Sequence, residues 1–204
     1  MIWRLAALAL LLTTSCVTFR EEASPLSTTR IVADYETYTV RRVGLVPFTG
    51  NGLTGEEACE LQTTFFTELS RRADFEIVPL TPNDLEEIPG SEPFRAGWIR
   101  PRTIIDLSRR FRLDAILIGT MTERQVFTPQ RFGAQVDMIA SETGVPIWSS
   151  IVHIDASDER VRYGMERWFD TSRATYKTGE TWELALLSPR RFAQYAAYEV
   201  ARGL

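Results

Sequence analysis

The sequence predicts an α/β (α+β) protein in which a mixed sheet of about five strands is covered by helices, with further helices at the C-terminus. Two observations predict this class. Three strand patterns within residues 114–155 are joined by turn signals at 128–131 and 142–144, so these strands must pair antiparallel. Before them, strand and helix patterns alternate, as in parallel strands joined by right-handed crossovers. The predicted order is strand, helix, strand, helix, strand, strand, strand, then helices.

The composition predicts one domain behind a leader. The 204 residues are 44% hydrophobic and 25% charged, which is enough for one substantial core. We therefore predict a signal peptide over residues 1–15, a lipid anchor and flexible tether over 16–38, and a single α/β domain over 39–204. The net charge of −4 argues against a nucleic-acid partner, because such binders usually carry a concentrated positive excess.

The N-terminus is typical of a bacterial lipoprotein signal. Arg4 precedes an apolar run over residues 5–12, which is shorter than the roughly 20 residues that span a bilayer. The small residues before Cys16 resemble a lipobox, although Thr13 stands where such signals usually carry Leu. This resemblance implies that Cys16 is lipidated and becomes the first mature residue. With Val17 after it, the chain is expected at the outer membrane, facing the periplasm; an ordinary cleaved signal is the alternative.

The tether and the second cysteine add little chemistry. The first part of the tether is rich in Ser, Thr and Glu and lacks apolar periodicity, which is typical of a flexible linker. If Cys16 carries lipid, Cys59 is alone and no disulfide framework is predicted. A lone cysteine on a predicted helix is more typical of a small buried side chain than of a nucleophile.

The first half of the domain reads as strand, helix, strand. An apolar run ends the first core strand, predicted over residues 39–48. A helix follows, with Thr54 as N-cap and Glu57 completing a capping box. The second strand covers residues 75–80, and Pro79 places its end near a sheet edge or bend. The buried stripe of the helix is predicted to comprise Ala58, Leu61, Phe65 and Leu69.

The second half supplies one helix, three strands and two more helices. Pro101 starts a helix that ends near Arg112, and the third strand begins directly after Asp114. A later helical stripe is interrupted by Gly164, which costs about 1 kcal/mol in mid-helix. Ser188 is the predicted N-cap of the last helix. The buried stripe of the helix that contains Gly164 is predicted to comprise Val161, Met165, Trp168 and Phe169.

A literal G-x-G-x-x-G at Gly50, Gly52 and Gly55 matches the dinucleotide-binding fingerprint between a strand and a helix. Residues 47–49 separate the strand from the first glycine, and no acid ends the second strand. The sheet also turns antiparallel instead of repeating strand–helix units. We therefore predict a plain strand-to-helix turn, and these three glycines are the alternative cofactor site.

No other constellation indicates catalysis. His153 is the only histidine, and no Cys, His or carboxylate pair stands at ligand spacing from it. It is more typical of a packed or rim residue than of a catalytic one. The sequence has no paired cysteines and no serine in a nucleophile-elbow motif, so it does not supply the residues of a zinc site or a catalytic triad. We therefore predict no enzyme, no cofactor and no metal site.

Four segments, VGLVPF, FEIVPL, LDAILIGTMTE and VDMIASETGVPIWSS, resemble in order the landmarks of the curli-secretion-lipoprotein-like group of periplasmic domains. That group includes the penicillin-binding-protein activator lipoprotein B. The similarity covers residues 42 to about 152. It implies a mixed α/β sheet, an envelope location and action by binding or assembling with other envelope proteins.

Taken together, the leader and this resemblance predict a lipid-anchored periplasmic module that binds another envelope protein without catalysing a reaction. The alternatives are a nucleotide-binding enzyme that uses residues 50–55, and a subunit of an oligomeric secretion assembly. A pore is not favoured, because the hairpin over residues 120–140 carries Glu123, Arg124 and Gln125 where a lipid-facing strand needs alternating apolar residues.

Overall fold

The computed structural model describes residues 24–50, 52–86, 99–172 and 179–204, and it confirms the predicted mixed α/β architecture. Both the predicted signal peptide and Cys16 lie outside these residues. The strands are β1 (Ser27–Ile31), β2 (Arg42–Leu45), β3 (Thr49–Gly50), β4 (Glu76–Pro79), β5 (Ala115–Gln125), β6 (Arg131–Ala140) and β7 (Pro146–Asp155). The helices are α1 (Gly55–Leu69), α2 (Pro82–Glu86), α3 (Pro101–Phe111), α4 (Glu159–Ser172), α5 (Trp182–Leu187) and α6 (Pro189–Ala201).

The strands form one sheet in the order β1-β7-β6-β5-β2-β4, and β3 extends the parallel edge of β5. β2 pairs parallel with both β4 and β5, as crossover connections require. β5, β6 and β7 form an antiparallel meander through the two predicted turns. Pro79 ends β4 at the sheet edge, as predicted.

One face of the sheet is covered by α1, α4, α5 and α6. The predicted stripe of α1 is fully buried there, and so is the predicted stripe of α4. Aromatic contacts join the helices to the strands: the Phe65 ring lies 4.5 Å from that of Phe48 and 6.5 Å from that of Phe132. This is the larger of the two cores, and it orients α6 across β6 and β7.

The opposite face is covered over only part of its width. Ile104 and Leu107 of α3 pack on Ile116 and Ile118 of β5, and Leu85 of α2 joins the same cluster. Ile139 of β6 lies at the margin of this second core. Among the described residues, no element continues that cover over β7 and β1, so this part of the sheet remains exposed.

The predicted tether is too long at its C-terminal end, because β1 belongs to the sheet. Ser27–Ile31 pairs antiparallel with β7, from Ser27 opposite Val152 to Ile31 opposite Trp148. The backbone N–H of Leu26 also donates to the Glu199 carboxylate at 2.8 Å. Backbone pairing and a buried carboxylate, both distant in sequence, therefore order a segment whose own composition resembles a linker.

The helices of the described residues are too short or too polar to cross a bilayer.

Candidate functional site

The exposed sheet face is polar and is built from β6, β7 and β1. Antiparallel register aligns its side chains: Gln135 lies opposite Ile151, and Asp137 lies opposite Ser149. The Asp137 carboxylate accepts hydrogen bonds from the Gln135 side chain at 2.8 Å and from the Ser149 hydroxyl. Alternate residues of each strand point to this side, so the face is a solvated surface with fixed hydrogen-bonding groups.

His153 lies at the end of this face nearest the β5–β6 turn and is exposed, as predicted for a rim residue. Its Nε2 lies 2.6 Å from a Glu123 carboxylate oxygen across Gly133. The Arg131 guanidinium lies 3.9 Å from the same carboxylate and 2.7 Å from Asp155. The histidine thus contacts a surface network of acidic side chains and Arg131.

The β5–β6 turn carries the most exposed large apolar side chain of the described residues. Phe127 is 80% exposed, and its neighbour Val126 is 38% exposed. The Gln125 side chain holds the turn by donating to the carbonyls of Pro129 at 2.6 Å and Phe127 at 3.3 Å. We call residues 125–130 the hairpin tip. It presents an aromatic ring on an internally hydrogen-bonded loop.

Charged contacts fix the base of the hairpin to the body. Arg124 forms an ion pair with Glu57, whose carboxylate also closes the capping box of α1. On β6, Arg131 forms an ion pair with Asp155 of β7. Hydrogen bonds from the hydroxyl and the backbone N–H of Ser157, followed by the contact with Arg131, hold the pKa of Asp155 below its ordinary value. The hairpin tip is therefore anchored on both strands.

A cavity of about 270 Å³ lies directly beside the hairpin tip, between α1, α6 and the two strands. Val126, Leu53 and Phe132 supply apolar wall, whereas Arg124 and Arg190 supply charge. The tip and this cavity form one uneven surface at the same end of the sheet. Such a surface offers both an anchor and a small pocket to a partner.

A larger cavity of about 600 Å³ lies between α4, α6 and the segment that leads into β1. We call it the arginine cavity, because the described residues that line it include four arginines and one acidic residue. Its aromatic wall contains Tyr163, Trp168, Tyr195 and Tyr198. Its arginines are Arg72, Arg160, Arg167 and Arg202.

The acidic residue is Glu199, which is 2% exposed. Burial raises its pKa, although the Leu26 N–H and the Arg202 guanidinium, at 3.2 Å, favour its charged form. Burial also raises the pKa of Tyr195, and the nearby Glu199 charge acts in the same direction. The Tyr195 hydroxyl is buried near this carboxylate and has no hydrogen-bond partner among the described residues.

The glycines of the fingerprint have structural explanations. A Cβ atom at Gly50 would lie 2.7 Å from the Met121 carbonyl oxygen, so this glycine permits the close approach of β3 to β5. Gly52 has φ +79°, a left-handed turn conformation that glycine adopts most readily. Gly55 begins α1 in open space. Close approach and a left-handed turn thus explain Gly50 and Gly52, whereas nothing in the structure requires glycine at position 55.

The start of α1 is already occupied by a protein carboxylate. The backbone N–H of Thr54 donates to Glu57 at 3.0 Å, and the Thr54 hydroxyl accepts from the Glu57 N–H at 3.2 Å. In a dinucleotide site, the pyrophosphate would need this same helix terminus. Glu57 therefore places a negative charge where a nucleotide would have to place its own.

The structure describes one of the two cysteines, Cys59. Cys59 is a half-buried free thiol on α1, less buried than predicted. Within the described part of the chain, no group of three or more His, Cys, Asp or Glu side chains is arranged to hold a metal ion. Cys16 cannot be placed, because it precedes the described residues.

Comparison with solved structures finds partial matches of low sequence identity. No family model and no curated protein matches the chain. The lipoprotein GNA1162 from Neisseria meningitidis is 19% identical, with 67% of this chain and 98% of that chain covered and a TM-score of 0.45. The LpoB C-terminal domain from Escherichia coli is 17% identical, with 59% and 92% covered and a TM-score of 0.41. The PelC dodecamer from Paraburkholderia phytofirmans is 11% identical, with 63% of this chain and 79% of that chain covered and a TM-score of 0.45.

The LpoB domain and a lipoprotein are among these neighbours, as the resemblance in the sequence led us to expect. The turn between β5 and β6 was predicted, but neither the exposed Phe127 at the hairpin tip nor the arginine cavity was. Phe127 could have been noticed, because an apolar pair directly before Thr128 and Pro129 has no place in either strand pattern. The cavity had no local signal, since its arginines come from three separate segments of the chain.

Proposed function

We propose that this protein is a lipid-anchored periplasmic module that binds another cell-envelope protein through its hairpin tip and does not catalyse a reaction. The observation that carries this proposal is the exposure of Phe127, at 80%, on a loop that Gln125 holds in place. Aromatic residues presented on an ordered loop are frequent energetic centres of protein interfaces. The adjoining polar sheet face supplies a hydrogen-bonding rim.

The charges around the tip indicate how a partner would be oriented. Arg124 and Arg131 flank the hairpin, and both are held by acidic neighbours in ion pairs. A partner surface with an apolar pocket for Phe127 and polar groups around it would match this arrangement. Such charges set the register and the rate of association more than the affinity.

The proposed anchor determines where this surface works. Lipid on Cys16 would hold the domain at a bilayer without spanning it, since each buried CH2 contributes about 0.8 kcal/mol. The described domain begins eight residues after Cys16, so a fully extended linker to Ser24 would reach at most about 29 Å. The reach of the module is therefore short, unless the segment before β1 detaches. Intact-mass measurement of the mature chain tests the anchor, and an unmodified Cys16 would refute it.

Partner binding is tested by crosslinking in cells. A photo-crosslinking amino acid at position 127 is expected to give one or a few discrete adducts with envelope proteins. The same amino acid at position 184 is the matched control, because Leu184 is also apolar and 54% exposed but lies on α5. Equal adduct patterns at both positions, or none at 127, would refute docking through the tip.

A further inference from the structure

The arginine cavity is separate from the hairpin tip and has a different chemistry. Arg72 enters it from the turn after α1, and its guanidinium lies 5.5 Å from the centre of the Tyr198 ring. Within the described residues, no carboxylate lies within ion-pair distance of Arg72, although the charge of Glu68, which pairs directly with Arg71, acts on it at longer range. Stacking on an aromatic face therefore positions this cation, without a direct ion pair.

The other arginines are held in different ways. Arg160 bonds Asp158 at 3.1 Å, and Arg202 bonds the buried Glu199. Arg167 lies over the Tyr163 ring at 5.5 Å and donates to the Tyr163 hydroxyl at 3.3 Å. Aromatic faces and acidic neighbours thus fix the guanidinium groups around one space, where the described residues carry more positive than negative charge. Planar guanidinium groups match the oxygens of a phosphate group, which can accept several hydrogen bonds at once.

The volume of the arginine cavity and its position in the domain indicate which class of ligand it can bind. A cavity of about 600 Å³ falls within the range of small-molecule sites, and its aromatic wall can cover the apolar part of a phosphate ester. Ser24, Pro25 and Leu26 form one side of the opening. The chain leads from there towards Cys16, so the proposed anchor would hold this opening near a bilayer surface.

We infer that the arginine cavity binds a phosphate ester, with Arg72 as its principal ligand and Arg160 and Arg167 at the rim. Two sources share this chemistry: the headgroup of an anionic phospholipid and a soluble phosphate ester. Only the lipid source rests on the proposed anchor. Binding of phosphate in the cavity rests on the arginines alone.

The test uses the full chain with Cys16→Ser, which cannot be acylated. Inorganic phosphate and glycerol phosphate are titrated by calorimetry, and vesicles of phosphatidylcholine are compared with vesicles that also contain phosphatidylglycerol. We expect saturable glycerol phosphate binding, weakened about tenfold or more by Arg72→Ala, because charge-assisted hydrogen bonds are lost. Arg109→Ala is the matched control, since Arg109 is an exposed arginine on α3 outside the cavity.

The outcomes distinguish a lipid headgroup from a soluble phosphate ester, or show that the arginine cavity binds neither. A preference for phosphatidylglycerol vesicles that Arg72→Ala removes assigns a lipid headgroup, whereas binding of glycerol phosphate without that preference assigns a soluble ester. No saturable binding of either probe, or equal binding by the Arg72→Ala and Arg109→Ala chains, would overturn the proposal. Crosslinking at position 127 is read separately, so failure here leaves the hairpin tip untouched.

One competitor lies within the chain itself. Glu21 and Glu22 precede Ser24 closely in the sequence, and their carboxylates could neutralise the same arginines. The titrations are therefore repeated with Glu21→Gln and Glu22→Gln introduced together. Phosphate binding that occurs only in this altered chain would mean that the protein's own carboxylates occupy the cavity, and it would overturn the proposal.

Discussion

A Cβ atom added at Gly164 would lie 2.0 Å from the hydroxyl oxygen of Tyr195. Gly164 is thus the position at which α4 allows the tyrosine of α6 to pack closely against it. The Tyr195 ring is fully buried and also contacts the Trp168 ring, 5.7 Å away. The helix-breaking cost of a mid-helix glycine is offset by this close packing.

We expect Gly164→Ala to lower the free energy of unfolding by about 1–2 kcal/mol, because overpacking costs more than the gain in helix propensity of about 1 kcal/mol. Adding Tyr195→Phe should restore most of the loss, since the next nearest ring atom is 3.2 Å from the added Cβ. Urea unfolding measures each chain. Gly55→Ala, which meets no atom within 4 Å, is the control and should stay within about 0.5 kcal/mol.

Glu199 holds β1 to α6 and is itself held by Arg202. Removing the carboxylate by Glu199→Ala breaks its ion pair with Arg202, whose side chain is 10% exposed. We expect a loss of about 3 kcal/mol in the free energy of unfolding, measured in urea. The Leu26 amide should also exchange faster with solvent, because its hydrogen bond to Glu199 is lost.

Changing Glu199 and Arg202 together is the control for the single change at Glu199. Glu199→Ala combined with Arg202→Ala should cost less than the sum of the two single changes, because each single change already breaks the ion pair that both residues share. Additive losses would contradict this account and would assign the effect of each change to lost packing.

The fate of β1 illustrates what the sequence could and could not predict. The capping box at Thr54 and Glu57, the start of α3 at Pro101 and both hairpin turns were predicted, because their signals lie within a few residues. β1 was missed because Ser27–Ile31 depends on β7 and Glu199, more than a hundred residues away. The arginine cavity was missed for the same reason, whereas Gly164 was noticed but its partner Tyr195 was not.

The α1 capping box should give a measurable pH dependence. The Thr54 backbone N–H, followed by Arg124, lowers the pKa of Glu57 from 4.5 to about 2. Because this pKa is lowered, the contribution of the Glu57 carboxylate to the free energy of unfolding is complete above pH 4.5 and is lost as the pH falls towards about 2. We expect the parent chain to exceed Glu57→Gln in stability at pH 7, with the difference narrowing through this range in urea unfolding.

Glu56→Gln is the control for that experiment, because it removes a charge from the same helical turn without contacting Thr54 or Arg124. A difference between parent and Glu57→Gln that stays constant from pH 7 to low pH would be incompatible with a stabilised carboxylate at this cap.

Gln62 ties two strands together from within the core. Its Nε2 donates to the carbonyls of Leu45 and Leu80, both at 2.7 Å. We expect Gln62→Leu to cost about 1–3 kcal/mol of unfolding free energy, because a buried donor to two carbonyls is lost. Gln62→Glu should cost more at neutral pH, since a buried carboxylate would face those oxygens, and the excess should shrink on acidification. Equal losses for both variants across pH would show that only the shape of Gln62 matters.

The last prediction concerns the loop that presents Phe127. Gln125→Ala removes the side chain that donates to the carbonyls of Pro129 and Phe127, so the hairpin tip should lose order while the core keeps its packing. We expect unfolding free energy to change by less than about 0.5 kcal/mol, as for most surface substitutions. Crosslinking from position 127 should fall several-fold, because an unordered anchor must be immobilised on binding. Undiminished crosslinking would mean that the partner recognises the aromatic side chain without needing the loop held by Gln125.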